Sequence, residues 1–167
     1  KETPSRPQLW EPAGKTVRSD DDRPRIAAVI LAAGQSRRMG DDNKLLKKLK
    51  HQTLISTVTD TVNNSGIEHI VVVTGHEKDA VEAELAGRTL SFVHNPDFAT
   101  GLSTSLRAGV NALPRDIDGF LICLGDMPSI GSNHIDRLIA AFDVDEGRAI
   151  CVPTHQGKRG NPVLWAA

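Results

Sequence analysis

The stretch Ile26-Ala27-Ala28-Val29-Ile30-Leu31-Ala32-Ala33-Gly34-Gln35-Ser36-Arg37-Arg38-Met39-Gly40 decides how the rest of the chain reads. Its first six residues are an unbroken apolar run. A half-exposed strand alternates, so this run predicts a strand buried on both faces, the habit of parallel sheets. A loop follows, Ala32 to Gly40, built first of small residues and then of cations. Ligands of open α/β sheets bind outside the carboxyl ends of such strands. Ala32, Ala33 and Gly34 permit close backbone approach, and their N–H groups suit anionic oxygens. Ser36 adds a hydroxyl donor, and Arg37, Arg38 and Lys44 add positive charge. Arg grips phosphate oxygens bidentately, whereas Lys acts as a point charge. The loop lacks the Gly-Lys-Ser/Thr of a Walker A motif and the GxGxxG of a dinucleotide fingerprint, which removes the main support for P-loop and hydride-transfer chemistry. Taken alone, it also reads as a solvated turn that happens to hold Gly, Ser and Arg.

Outward from this loop, apolar runs alternate with amphipathic ones. Leu54, Ile55, Val58 and Val62 share one helical face, and Asn64-Ser65-Gly66 supplies a stop. The segment is rich in Thr and Val, so a strand competes, but its length favours a helix. Strands are predicted over His69 to Val73, Leu90 to Val93, Gly119 to Leu124, Ala149 to Val152 and Val163 to Trp165. Helices are predicted over Glu77 to Leu85, Thr104 to Leu113 and Asn133 to Phe142, the last with Ser132 as its N-cap. Such alternation predicts an α/β domain, a Rossmann-like three-layer sandwich with a mostly parallel sheet. Within it, the tips of the strands ending at Leu31 and Leu124 are expected side by side, where the strand order reverses and opens a crevice.

Residues 1–25 read differently. Pro4, Pro7, Pro12 and Pro24 and the acidic run Asp20-Asp21-Asp22 leave no sustained period, so a linker or arm from an upstream domain is expected. The 167 residues otherwise suit one domain, residues 26–167. A formal net charge of -1 argues against a nucleic-acid-coating protein. No apolar run is long enough for a membrane span, and Lys1 to Pro12 has no secretory h-region. The two cysteines, Cys123 and Cys151, read as buried thiols of a reducing compartment, and a cytoplasmic location is expected.

Five further segments lie in the same order as the predicted strand ends: Val73-Thr74-Gly75-His76, Asn95-Pro96, Gly101-Leu102-Ser103 with Ser105-Leu106-Arg107-Ala108-Gly109, Gly125-Asp126-Met127-Pro128, and Gly160-Asn161-Pro162-Val163. Each has a plain reading. Asp126 is a turn Asp, Ser103 or Ser105 caps a helix, His76 is solvated, and Lys47, Lys48 and Lys50 form a solvated basic face. His51, His69, His94 and His134 show no metal-ligand spacing.

Together with Leu31-Ala-Ala-Gly-x-Ser-x-Arg-Met-Gly40 and Lys44-Leu45-Leu46, these segments resemble the MobA-like NTP transferase family, which includes the molybdenum cofactor cytidylyl- and guanylyltransferases. The resemblance runs from Ile26 to Trp165. It implies the nucleotide-diphospho-sugar transferase fold and a Mg²⁺-dependent reaction. In that reaction a substrate phosphate attacks the α-phosphate of a nucleoside triphosphate and pyrophosphate leaves. Carried over position by position, it implies Arg38, Lys44 and Asp126 as catalytic residues, with Asp126 the Mg²⁺ ligand. It implies nucleotide contacts from Leu31, Ala32, Ala33, Gly34, Ser36, Gly75, Gly101, Ser103 and Ser105.

Ala33 stands where guanylyl-transferring relatives typically have Gly. The resemblance therefore leans to CTP over GTP, with molybdopterin as the phosphorylated acceptor. One methyl narrowing the base pocket is worth about 1–3 kcal/mol. Many relatives carry a later acidic motif, so the domain is expected to be incomplete at its carboxyl end; from its Pro-rich, acidic amino-terminal arm it is expected to be fused to, or docking on, a molybdenum cofactor pathway domain. The alternatives are a related transferase using GTP or acting on a sugar or isoprenoid phosphate, and a non-catalytic cofactor-binding domain.

Overall fold

The computed structural model describes residues 23–34 and 43–167. The first strand, β1 (Ile26–Ala32), has all seven residues buried, as its apolar run requires. It is hydrogen-bonded on both sides. β4 (His69–Thr74) pairs with it in parallel from Ala27↔His69 to Ala32↔Thr74. β6 (Gly119–Leu124) pairs in parallel from Ile26↔Gly119 to Leu31↔Leu124. Two short hairpin strands, β2 (Lys48–Leu49) and β3 (Gln52–Thr53), precede α1 (Leu54–Asn63). β5 (Ser91–His94) lies outside β4, also parallel. On the far side, β10 (Val163–Ala166) runs antiparallel to β6, and β7 (Ile150–Cys151) antiparallel to β10.

The sheet order is β5-β4-β1-β6-β10-β7. From β1 the chain winds outward to β4 and β5, then returns to β6 on the other side. The order therefore reverses between β1 and β6, and the expected adjacency of Leu31 and Leu124 is observed.

Helices cover both faces. Ala28, Ile30, Ala32, Val72 and Leu121 point to one face and pack with Ile55, Val58 and Val62 of α1, Val81 of α2 (Lys78–Glu84) and Ile135 of α4 (Ser132–Ala141). Val29, Leu31, Val73 and Ile122 point to the other, against Leu106 and Ala108 of α3 (Leu102–Asn111). This is the three-layer α/β sandwich read from the sequence.

The Thr-rich α1 is a helix, not a strand, and its threonine hydroxyls bond back to its own carbonyls. Thr57, Thr59 and Thr61 each donate to the carbonyl four residues earlier, at 2.9, 2.8 and 2.9 Å. Thr53 caps it by accepting from the Ser56 N–H at 3.2 Å. One cap differs from expectation. Gly131, not Ser132, is the N-cap of α4, and its N–H donates to His134 Nδ1 at 3.0 Å. Both cysteines are buried and free, Cys123 in β6 and Cys151 in β7.

Candidate nucleotide site at the strand reversal

β1 delivers its last residues into the crevice, but most of them face inward. Leu31 and Ala32 are buried, and the Leu31 carbonyl accepts from the Gly125 N–H at 3.0 Å. Both side chains thus belong to the core. Ala33 is also buried, packed with Phe98. A Cβ placed on Gly75 would lie 2.8 Å from the Ala33 methyl and 2.6 Å from Phe98 Cβ. The Ala33 methyl therefore sets the spacing of two loops, rather than lining an open pocket as the sequence reading has it. Gly34 is the first exposed position. Ser36 and Arg38 lie outside the described residues.

Lys44 and Asp126, 82 residues apart in sequence, meet in this crevice, Nζ to Oδ2 at 3.1 Å. Each is placed by a small, rigid device. Lys44 begins a 3₁₀ turn, Lys44–Leu46, whose N-cap Asn43 accepts from the Leu45 N–H at 3.0 Å. Leu45 is buried in the core and anchors the turn. Asn43 is itself buried, and among the described residues its Nδ2 has no hydrogen-bond partner. Asp126 follows β6 in a tight turn closed by Met127 N–H to the Leu124 carbonyl at 3.3 Å. Gly125 is needed there, since a Cβ would stand 2.9 Å from both the Leu31 carbonyl oxygen and Ile55 Cδ1.

The third wall is the start of α3. Gly101, at φ 139°, is its N-cap and makes no side-chain cap bond, so neither Ser103 nor Ser105 caps the helix. Ser103 is exposed. Ser105 is buried and accepts from Asn95 Nδ2 at 2.9 Å. The same Asn95 amide donates to Thr104 Oγ1 at 2.9 Å, and its carbonyl oxygen accepts from the Asp97 N–H at 3.0 Å. The Asn95 N–H donates to the Thr74 carbonyl at 2.8 Å. Asn95 thus ties β4, the following loop and α3 together, a positioning role the sequence reading did not assign. Its signal was the Asn-Pro pair directly after a strand. His76 is half-exposed, 3.9 Å from the Glu77 carboxylate and with its ring centroid 6.2 Å from that of Phe98.

The arrangement is a cation and a carboxylate at the carboxyl ends of two adjoining parallel strands, beside exposed Gly34. Residues 28–167 match the MobA-like NTP transferase domain family. The chain belongs to that family. This MobA-like domain is 36% identical over 124 residues to the bifunctional protein GlmU of Francisella tularensis subsp. holarctica, spanning 72% of this chain and 26% of the relative. The chain thus covers about a quarter of the length of the curated relatives it matches. Among solved structures, a nucleotidyl transferase from Methanothermobacter superposes with a TM-score of 0.74 at 28% identity, over 84% of this chain and 70% of that one. Rv0371c from Mycobacterium tuberculosis H37Rv gives a TM-score of 0.74 at 25% identity, over 86% and 72%. The nucleotidyltransferase fold expected from the resemblance is the one observed. Among the described residues no helix is long and apolar enough to cross a membrane.

Proposed function

We propose that this MobA-like domain transfers CMP from CTP to the phosphate of molybdopterin, releasing pyrophosphate in a Mg²⁺-dependent reaction. The observation that carries the reading is the Lys44–Asp126 pair at the strand reversal, where open α/β sheets bind nucleotides. In the step, an acceptor phosphate oxygen bonds to the α-phosphorus while the bond from that phosphorus to the α–β bridging oxygen breaks. A dianion plus a tetra-anion gives a dianionic diphosphate diester plus tetra-anionic pyrophosphate, so charge balances with no proton transfer. The protein therefore needs cations and positioning more than a base. Lys44 supplies positive charge to the phosphates, and Gly34 allows the backbone to approach them.

Asp126 suits a hard cation. Mg²⁺ usually takes one or two carboxylates, with phosphates and waters completing its shell. Asp126 offers one carboxylate at the crevice rim, and no group of three or more possible ligands occurs among the described residues. When bound there, the metal supplies charge neutralisation at the phosphates. A manganese complex of Rv0371C is also among the structural neighbours. Arg38 and Ser36 belong to the proposed phosphate contacts on the family resemblance alone, as do Ser103, Ser105 and Gly101 for base and ribose. The preference for CTP rests on Ala33, acting through the spacing of its loop from Gly75. A cytoplasmic setting and a neighbouring cofactor-pathway domain complete the proposal.

The test is pyrophosphate release with each of the four nucleoside triphosphates, with and without molybdenum cofactor. Release with CTP only when the cofactor is present is expected. Release with a sugar or isoprenoid phosphate instead of the cofactor moves the reading to a related transferase, and no release with any acceptor makes the domain a binding module.

A further inference from the structure

We propose that the arm preceding β1 straps back onto the sheet, with Leu9-Trp10 covering an apolar row made by Phe120, Trp165 and Ile150 on β6, β10 and β7. Leu9 and Trp10 lie outside the described residues. The proposal does not depend on which group the domain transfers.

The row follows from the uneven covering of the sheet. α1, α2 and α4 pack on one face, in a core shared with Leu121, Leu164 and Cys151. Among the described helices, α3 alone lies on the other face, where it sits on β1, β4 and β5. The rest of that face belongs to β6, β10 and β7. Successive side chains of a strand point to opposite faces. Leu121, Leu164 and Cys151 point into the covered core, so their neighbours Phe120, Trp165 and Ile150 point to the α3 side. The register sets these three in line, Phe120 directly opposite Trp165 and Trp165 directly opposite Ile150. Phe120 is half-buried, Trp165 is 40% exposed and Ile150 is 54% exposed. The neighbouring pair Ile122 and Val163 widens the row. A contiguous apolar surface of this kind marks an interaction site.

Where the arm joins the fold decides what covers it. The Arg25 N–H donates to the Asp118 carboxylate at 2.6 Å, and the Arg25 guanidinium to Asp116 at 2.8 Å. Both aspartates belong to the connection from α3 to β6, and α3 lies on the face that carries the row. The chain before β1 is therefore fastened at the end of the sheet where Phe120 and Trp165 stand. Ile150 is three strand spacings from β1, roughly 14 Å. Trp10 precedes Arg25 by 15 residues, and a coil of that length spans about 20 Å. A tether whose length matches the span holds its end at an effective concentration of about millimolar order. A second copy meets the face only at its bulk concentration, so the arm is the favoured occupant. Its composition agrees. Leu9, Trp10 and Val17 are the only large apolar residues among residues 1–22. Pro7 and Pro12 bracket Leu9-Trp10 and reduce the conformational freedom lost on docking. Aromatic rings pair edge-on or offset, and the row offers Trp10 both Trp165 and Phe120.

The chain's two tryptophans are Trp10 and Trp165, so a substitution at Trp10 leaves Trp165 as the sole emitter. Acrylamide quenching of the full chain is compared in Trp10→Phe, which keeps an aromatic anchor, and Trp10→Ala, which does not. The quenching constant of Trp165 is expected to be about twofold higher in Trp10→Ala. In the unmutated, methyl-labelled chain, NOEs from the Trp10 indole to Ile150 Cδ1 are expected. They should be absent from an isotope-filtered mixture of labelled and unlabelled chains, which reports only contacts between molecules. Equal quenching in the two variants overturns the proposal, as does the lack of a Trp10–Ile150 NOE. NOEs in the filtered mixture overturn it too, since they give the face to a second copy.

Discussion

The side chains of Lys44 and Asp126 are each 42% exposed. An ion pair so well solvated contributes about 0–1 kcal/mol to stability. Lys44→Gln and Asp126→Asn should therefore fold as the parent does, with urea midpoints nearly unchanged. On the proposed reaction their cost falls on function. Asn keeps the shape of Asp126 and loses the charge that suits a divalent cation, and a reacting group misplaced by about 1 Å costs on the order of a hundredfold. A pyrophosphate assay in Mg²⁺ should show that loss in Asp126→Asn. Near-normal turnover would place the metal elsewhere.

Cys123 behaves oppositely, since burial pushes its thiol up from 9.0 to about 12. The folded state holds that proton more tightly than the unfolded chain. The associated stability is complete below pH 9 and is lost as pH rises from 9 toward 12, at up to about 1.4 kcal/mol per pH unit. Urea unfolding at pH 8 and pH 10 should show a smaller fall for Cys123→Ala than for the parent.

At this scale the sequence was most legible where burial alone decides a side chain's place, as at Cys123 and Cys151. It was least legible at Asn95 and Ser105. Their hydrogen bonds join residues ten positions apart that only the fold brings together.

Elements follow the sequence closely, because buried parallel strands are uninterrupted apolar runs and the helices between them carry one apolar face. What escaped were pieces too short to have a period: the Lys44–Leu46 turn, the β2–β3 hairpin, the hairpin of β8 (Thr154–His155) and β9 (Lys158–Arg159), and the 3₁₀ turn Phe98–Thr100. Of these, the Lys44–Leu46 turn carries Lys44 to Asp126. The loops after β1 and β4 are in close contact as well. Gly75→Ala would drive a methyl into Phe98 and Ala33. Overpacking of that kind costs roughly 1–3 kcal/mol. Thermal unfolding should show the loss, and the Gly75→Ala loops should move apart enough to weaken CTP binding as well. An unchanged melting temperature would mean that Phe98 swings away freely.

For the molecule as a whole, the proposed nucleotide binding is linked to stability. A ligand at about 100 times its Kd stabilises the folded state by roughly 2.7 kcal/mol. For a domain of this size that is a rise in Tm of about 5–10 °C. CTP with Mg²⁺ should produce such a rise, and GTP with Mg²⁺ a smaller one. A larger shift with GTP would defeat the selection argument built on Ala33.

Asp118 bears on how the domain relates to other polypeptide. Its carboxylate accepts from the Arg25 N–H at 2.6 Å, its own N–H donates to the Arg25 carbonyl at 2.9 Å, and its carbonyl accepts from the Ala167 N–H at 3.1 Å. The two points at which chain passes into and out of the sheet are thus clasped by one residue. They sit at the amino ends of the parallel strands, separated from Asp126 by the six residues of β6, a length of roughly 20 Å. Polypeptide on either side of the sheet, before Arg25 or beyond β10, therefore meets it at the edge turned away from the Lys44–Asp126 pair.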